Sequence, residues 1–251
     1  MTVYQNLLKI KNEKGAGFLV LLDPDRMSVS EIVKLAQKSE KGGADGFLVG
    51  SSLLLSTRFD EAVKEIKANV DVPVTIFPGN ANQVSRYADA ILFLSLISGR
   101  NPHLLIGEQV KAAPAIKEFG LEPIPTGYIL IESGKATSAQ FMSDTQPIPK
   151  NKPDIAKAHA LAAEYLGMKF VFLEAGSGAE NSVPDVIIRE VNDFVSIPII
   201  VGGGLKDPDI AYNKVKSGAS FVVIGNCLEK DDSAIKEFAE AIHINKKTRA
   251  I

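Results

Sequence analysis

FLEAGSG at residues 172–178, VGGG at 201–204 and VIGN at 223–226 each end a short apolar run in a glycine-containing turn. Backbone N–H groups approach an anion closely only where no side chain intervenes, and a glycine turn ahead of a helix leaves its donors unpaired and pointing outward. One such turn is common. Three on successive apolar runs, about 20 to 30 residues apart, is the arrangement of neighbouring strands in a parallel barrel whose C-terminal loops surround one phosphate.

Outward from these turns, apolar runs alternate with amphipathic segments along the chain. Strands are predicted over 17–22, 46–49, 74–77, 90–94, 121–131, 169–173, 197–201 and 219–224. Runs such as FLVLL and SIPIIV are continuously apolar, as strands buried on both faces of a parallel sheet must be. Similar entry turns (GGADGF, VDVPV, YADAIL, VSIPII, SGASFV) precede several of them, the mark of repeated βα units. Helices are predicted over 30–41, 58–68, 102–119, 152–166, 183–194, 207–217 and 232–242, with Pro102, Pro184 and Pro208 near three of the starts, where a missing N–H costs nothing. The pattern is α/β, a modified TIM (β/α)8 barrel, in a single domain over residues 1–251, a usual length for that fold.

Two departures from a regular barrel stand out. Only FPGNANQVSRYAD, residues 77–89, separates the third and fourth strands. A full crossover helix with its loops needs about a dozen residues or more, so the third helix is expected to be missing or vestigial. After the fifth strand, ESGKATSAQFMSDTQPIPKNK at 132–152 is polar and shows no apolar period. Loops of that length are usually functional or disordered, and this one is read as a mobile segment over the C-terminal face of the barrel.

Composition bounds the function. Apolar residues make up 45% of the chain and the formal net charge is -2, so no generally basic surface for nucleic acid exists and any anion site is local. The single cysteine, Cys227, rules out an internal disulfide framework and a Cys-based zinc cluster, fits a reducing cytoplasm, and reads as a small buried hydrophobe. No stretch reaches the roughly 18 unbroken apolar residues of a membrane span, and MTVYQNLLKIKNEKG lacks a signal-peptide core. A soluble cytoplasmic protein without an integral membrane segment is expected.

Acids at predicted strand ends are the candidate chemical groups, with a plain Asp-Pro turn for LDPDR and a helix N-terminal acid for Glu174 as the alternative readings. LLDPDR closes the first strand and places Asp23 and Asp25 at the barrel mouth. Carboxylate oxygens are hard ligands suited to Mg2+, an ion that keeps waters while bridging one or two carboxylates to substrate phosphates. VGSS closes the second strand, so Ser51 and Ser52 offer hydroxyls to a metal or a phosphate. Glu174 lies at the end of the sixth strand, beside the first glycine turn. A carboxylate next to a bound anion is unfavourable without a purpose such as proton abstraction or stabilisation of positive charge. His103 and His159 fall in helical patterns and His243 near the C-terminus, where solvated side chains are expected.

LLDPDR, GADGFLVGSS, FLEAGSGAE, VGGGLKDP and FVVIGN, in this order and spacing, resemble the geranylgeranylglyceryl phosphate synthases, more their second group than the Bacillus-type heptaprenyl enzymes. The resemblance covers nearly the whole chain. It implies a TIM barrel lacking its third helix and a prenyltransferase that joins sn-glycerol 1-phosphate to a long prenyl diphosphate, geranylgeranyl diphosphate above all, releasing diphosphate with Mg2+ as cofactor. It also implies a homo-oligomer, a dimer or hexamer, and transient membrane contact for the lipid product. Under the resemblance Asp23 and Ser52 are the metal ligands, and Glu174 is the catalytic base. The acceptor site takes in Phe172, Leu173, Glu174, Ala175, Gly176, Ser177 and Gly178, then Gly203 and Gly204, then Gly225 and Asn226. The family motif usually begins with tyrosine where this chain has Phe172, and the lysine two residues before the metal aspartate in Bacillus-type members is Leu21 here. A basic contact to the diphosphate then falls to another residue, Arg26 or Lys135.

Two other classes use the same barrel. A Schiff-base aldolase needs a lysine near a strand end, and Lys169 stands at the start of the sixth strand; a triose-type isomerase needs a histidine electrophile, and no histidine is at a strand end. Retention of both Asp23 and Glu174 speaks against a non-catalytic phosphate-binding scaffold, although a degenerate homologue could keep both. Prenyl length is a tertiary property, set by whatever blocks the tail groove, for which ILFLSLIS and LLLSTRF are candidate linings or plain core.

Overall fold

The computed structural model describes residues 1–230 and 232–244. Eight parallel strands close in sequence order into a barrel: β1 (Gly17–Leu22), β2 (Gly46–Val49), β3 (Val74–Ile76), β4 (Ala90–Leu96), β5 (Glu122–Leu130), β6 (Phe170–Glu174), β7 (Ile199–Gly202) and β8 (Phe221–Ile224). Around them run α1 (Val3–Lys14), α2 (Val29–Lys41), α3 (Phe59–Ala68), α4 (Glu108–Phe119), α5 (Ser138–Ser143), α6 (Pro153–Tyr165), α7 (Asp185–Asn192), α8 (Pro208–Lys216), α9 (Asn226–Lys230) and α10 (Ile235–Ile242). No helix lies between β3 and β4, as the short connection predicts. That connection is instead pinned to the end of β2: the buried Gln83 side chain donates to Ser51 O at 2.7 Å and accepts from Ser51 N at 3.0 Å.

Period-two alternation sorts the strand residues into two layers. Leu19, Leu48, Leu92, Ile124, Phe170, Phe172, Ile200, Phe221 and Val223 point inward and pack on one another. Their neighbours Val20, Val49, Ile91, Ile129, Val171, Leu173, Val201 and Val222 point outward under the helices. Phe170 and Phe221 meet edge to face at 5.5 Å. Each such buried side chain contributes roughly 1.5–3 kcal/mol relative to exposure, so the interior is a packed core and not a pore.

Four helical features lie outside the sequence expectations. Helix α1 starts at a capping box, in which Thr2 accepts from Gln5 N at 3.2 Å and the Gln5 side chain accepts from Thr2 N at 3.1 Å. Its Leu7 joins the inner cluster and its Tyr4 ring meets Phe170 edge-on at 5.2 Å, so α1 closes the floor of the barrel. The polar stretch after β5 is no plain loop. Ile148 bridges back to Ile131, and Thr137 caps the short α5. The predicted helix over 102–119 begins as a π-helical turn, His103–Gly107, before α4 proper. Asn226, expected in a turn, opens the short α9.

The floor also corrects the expectation for His243. Its Nε2 is 2.8 Å from Asp45 Oδ2, and the same carboxylate accepts from Phe18 N at 2.8 Å and Lys14 Nζ at 2.5 Å. The Asp45 side chain is 3% exposed. Burial alone pushes its pKa up, but the bonds from His243, Lys14 and the Phe18 amide outweigh it and leave the pKa below the ordinary value. One buried carboxylate therefore ties α1, β1 and the chain beyond α10 together.

Candidate active site

On β6, Phe170, Phe172 and Glu174 share a parity, so Glu174 continues the inward row at the rim. Its side chain is nearly sealed, with the residue 6% exposed, and Oε1 accepts from Gly176 N at 2.6 Å. Across the ladder Glu174 pairs with Gly202. A Cβ on Gly202 would lie 2.8 Å from Glu174 Oε2 and 2.9 Å from the Phe172 ring, so the glycine makes the space that the carboxylate occupies. Burial raises the Glu174 pKa to about 7, against a smaller opposing pull from the Gly176 amide. Burial, and then the nearby Glu174 charge, push the Tyr128 hydroxyl well above its ordinary value. An acid with a pKa near neutrality at a strand end is suited to exchange a proton with a bound substrate.

The three glycine turns converge beside it. Gly176 and Gly178 after β6, and Gly203 and Gly204 after β7, all have positive φ, between 69° and 98°, a region that side chains other than glycine strongly disfavour. An added Cβ on Gly176 would also collide with Thr137, the residue capping α5. The β6 and β8 turns are joined where Asn226 Nδ2 donates to Ser177 Oγ at 3.1 Å.

A cavity of about 710 Å³ opens onto these turns. At its polar end, Asp23, Ser51 and Ser52 lie on the wall with Glu174 and the glycine turns. Asp23 Oδ1 accepts from Asp25 N at 3.0 Å, while Oδ2 is 3.2 Å from Ser51 Oγ and 3.3 Å from Arg26 Nε. Asp25 is used otherwise: its carboxylate accepts from Leu55 N and Ser56 N, both at 2.7 Å, and it lies off the wall. Among the described residues no three His, Cys, Asp or Glu side chains converge on a metal position. One carboxylate with neighbouring hydroxyls is a hard-oxygen set that fits an ion held largely by substrate phosphates and water, as Mg2+ is.

The other end of the cavity is apolar and leaves the barrel interior. Leu92, Leu94, Phe77 and Tyr128 belong to the inner cluster, whereas Val84, Ile91, Phe93, Ala112 and Ile116 belong to the outer layer, yet all nine line the same space. The chamber therefore runs over β4 and under α4, in the layer a crossover helix between β3 and β4 would fill. Gln109 pins its roof by donating to Leu94 O and Leu104 O, the second at 3.0 Å. From the segment after β5, Ser138, Ala139, Met142 and Ser143 complete the wall. The expected position of that segment, at the C-terminal face, is thus what the structure has.

Residues 8–242 match the PcrB family. The chain belongs to the PcrB family. A geranylgeranylglyceryl phosphate synthase of Chitinophaga pinensis is 48% identical over 241 residues, with 96% of each chain covered. One of Pyrococcus horikoshii is 44% identical, covering 89% of this chain and 87% of the relative. Among solved structures, the crystal structure of (S)-3-O-geranylgeranylglyceryl phosphate synthase from Thermoplasma acidophilum in complex with its substrate sn-glycerol-1-phosphate superposes with a TM-score of 0.92 at 34% identity. It covers 97% of this chain and 99% of that one.

Within this PcrB-family barrel, the sequence-derived acceptor residues divide. Glu174, Gly176, Ser177, Gly178, Gly203, Gly204, Gly225 and Asn226 are on the cavity wall. Phe172, Leu173 and Ala175 are not: Leu173 and Ala175 pack into the outer layer, and Phe172 is sealed beneath Phe77, stacked on it at 5.0 Å, and Tyr128, edge-on at 5.5 Å. Of the two candidate basic residues, Arg26 is on the wall and Lys135 is not. Cys227 reaches the wall, but burial raises its pKa, which makes it a weak nucleophile. Sequence reasoning did not single out Tyr128, Phe77 or Gln109. Tyr128 carried a readable signal, since it is two residues beyond Thr126 and four beyond Ile124 on a period-two strand.

Proposed function

We propose that this protein joins sn-glycerol 1-phosphate to a long-chain prenyl diphosphate, geranylgeranyl diphosphate in the first instance, forming the ether and releasing diphosphate with Mg2+ as cofactor. The observation that carries the reading is a single one: the buried carboxylate of Glu174 stands at the junction of a glycine-turn cradle and a long apolar chamber within one cavity. A polar phosphate ester and a hydrocarbon tail need those two ends, and the reacting atoms meet between them.

In this scheme the β6, β7 and β8 turns hold the acceptor phosphate by backbone N–H groups. Glu174 takes the proton from the attacking glycerol hydroxyl as the new C–O bond forms and the allylic carbon–diphosphate bond breaks. Its negative charge favours the cationic character that builds on that carbon. Asp23 and Ser52 would hold Mg2+, which when bound supplies charge neutralisation of the diphosphate leaving group. The chamber over β4 excludes water from the tail and fixes the allylic end near Glu174, the positional part of the rate enhancement.

The rival readings lack their parts. Lys169 lies at the floor end, its ammonium 4.9 Å from the centre of the Tyr4 ring, far from any Schiff base at the rim. His103 borders the cavity from the π-helical turn after β4 and not from a strand end. Incubation with labelled sn-glycerol 1-phosphate, a panel of prenyl diphosphates and Mg2+ tests the proposal. An organic-extractable product, lost on chelation with EDTA, is expected. If labelled acceptor stays wholly in the aqueous phase with every prenyl diphosphate, the synthase reading is wrong.

A further inference from the structure

Among the described residues three cationic side chains, Arg26, Lys111 and Lys206, line the cavity. Lys111 is 2.7 Å from Glu108 Oε1 at the α4 side, and Lys206 Nζ donates to Glu180 O at 3.3 Å. Of these three, Arg26 is the one with a hydrogen bond to a side chain of the glycine turns. Its Nε is 3.3 Å from Asp23 Oδ2, Nη1 is 3.4 Å from Glu229 Oε2 and Nη2 is 3.5 Å from Ser177 Oγ. The same Ser177 hydroxyl accepts from Asn226 Nδ2. One guanidinium thus joins the end of β1, the β6 turn and α9.

The charges around the cradle make this placement matter. Glu174 and Asp23 are acids on the cavity wall, Glu229 is an acid off the wall with a side chain only 9% exposed, and the glycine turns carry no formal charge. A dianionic phosphate beside the carboxylates of Asp23 and Glu174 is repelled unless a cation intervenes. The contacts of Arg26 at 3.3–3.5 Å are also longer than the roughly 2.7–2.9 Å of a strong charge-assisted pair. The guanidinium is therefore held over the cradle without being committed to either carboxylate, and a phosphate offers its planar fork a better partner.

We infer that Arg26 binds the acceptor phosphate, with Glu229 as the carboxylate that holds the guanidinium in place and competes with the phosphate for it. The inference rests on the synthase reading, because the phosphate is that of the proposed acceptor. It predicts opposite signs for two substitutions. Removing the cation weakens acceptor binding, and neutralising the competing acid strengthens it.

The test is titration calorimetry of the full chain with sn-glycerol 1-phosphate and, separately, with inorganic phosphate. Arg26→Met is expected to weaken both by about tenfold to a hundredfold, the range for a lost hydrogen bond to a charged group, and Arg26→Lys to recover part of the loss. Glu229→Gln is expected to tighten both several-fold, and to do so much less in the Arg26→Met background. Should Arg26→Met fail to fold, the tightening in Glu229→Gln and the partial loss in Arg26→Lys carry the test. Affinity of Arg26→Met within twofold of the parent, or weakening in Glu229→Gln, overturns the inference. If the parent protein itself binds neither ligand, it is the synthase reading that falls.

Discussion

Replacing Glu174 by glutamine separates what the buried carboxylate does for catalysis from what it costs the fold. A carboxyl held at about 7 in the folded chain, against 4.5 in the unfolded one, carries about 3 kcal/mol at 1.36 kcal/mol per pKa unit. The sign follows from proton counting. Below pH 4.5 the group is neutral in both states and no penalty exists. Between 4.5 and 7 the unfolded chain releases the proton and the folded chain keeps it, so stability falls as pH rises. Above 7 the full penalty is present. Glutamine is neutral throughout, nearly isosteric, and still accepts from the Gly176 amide through its carbonyl. Glu174→Gln is therefore expected to match the parent at pH 4.5 and to exceed it by about 3 kcal/mol at pH 8, a rise in Tm of about 6–12 °C for a chain of this size. Turnover is expected to fall by about 10²–10⁴-fold with little change in acceptor affinity. Thermal melts of both proteins from pH 4.5 to 8.5 read the first effect. A Tm difference that is independent of pH, or a Glu174→Gln variant less stable than its parent at pH 8, refutes the argument that burial dominates this carboxyl.

At the opposite end of the barrel, the pKa of Asp45 lies below its ordinary 3.8, so its stabilising contribution is complete above that value and is lost as pH falls through the folded pKa. Asp45→Asn is expected to cost about 3 kcal/mol at pH 7 in urea unfolding, as loss of a buried ion pair does, with a smaller cost in strong acid; equal costs at both pH values would contradict the assignment. Gly202→Ala puts a methyl 2.8 Å from Glu174 Oε2 and is expected to lose about 1–3 kcal/mol through overpacking along with most turnover, whereas a fully active variant would show that the carboxylate can shift freely. In the apolar chamber, Ala112→Phe is expected to shift product toward shorter prenyl chains with acceptor KM unchanged. Identical product lengths from a mixed prenyl diphosphate panel would remove α4 as the chamber's boundary.

The barrel was legible because its strands are short, apolar and punctuated by glycine at the rim, and the absent third helix was legible because 13 residues, Phe77 to Asp89, leave no room for one. Helix α1 was missed although its capping box was present at Thr2 and Gln5; its apolar residues are few, and only Leu7 is buried. The short α5 was hidden because the capping of Thr137 and the bridge from Ile131 to Ile148 stabilise a polar segment without an apolar period. At the site, Glu174 followed from position alone. The split of its neighbours did not follow from the motif, which runs without a break from Phe172 to Gly178, but it did follow from strand parity, which turns Leu173 outward and Glu174 inward. Asp23 and Asp25 are indistinguishable by spacing. Loop amides at Leu55 and Ser56 engage Asp25 and leave Asp23 facing the cavity, a long-range contact that no local pattern encodes.

The chamber between β4 and α4 gives the missing helix a further meaning. Among the described residues a helix stands between every pair of consecutive strands except β3 and β4, and there Ile91, Phe93, Ala112 and Ile116 line the chamber. On the proposed reading a hydrocarbon tail fills that chamber, so the substrate acts as a temporary stave of the barrel. On that reading the tail, like a crossover helix, would cover the apolar side chains at this part of the barrel wall.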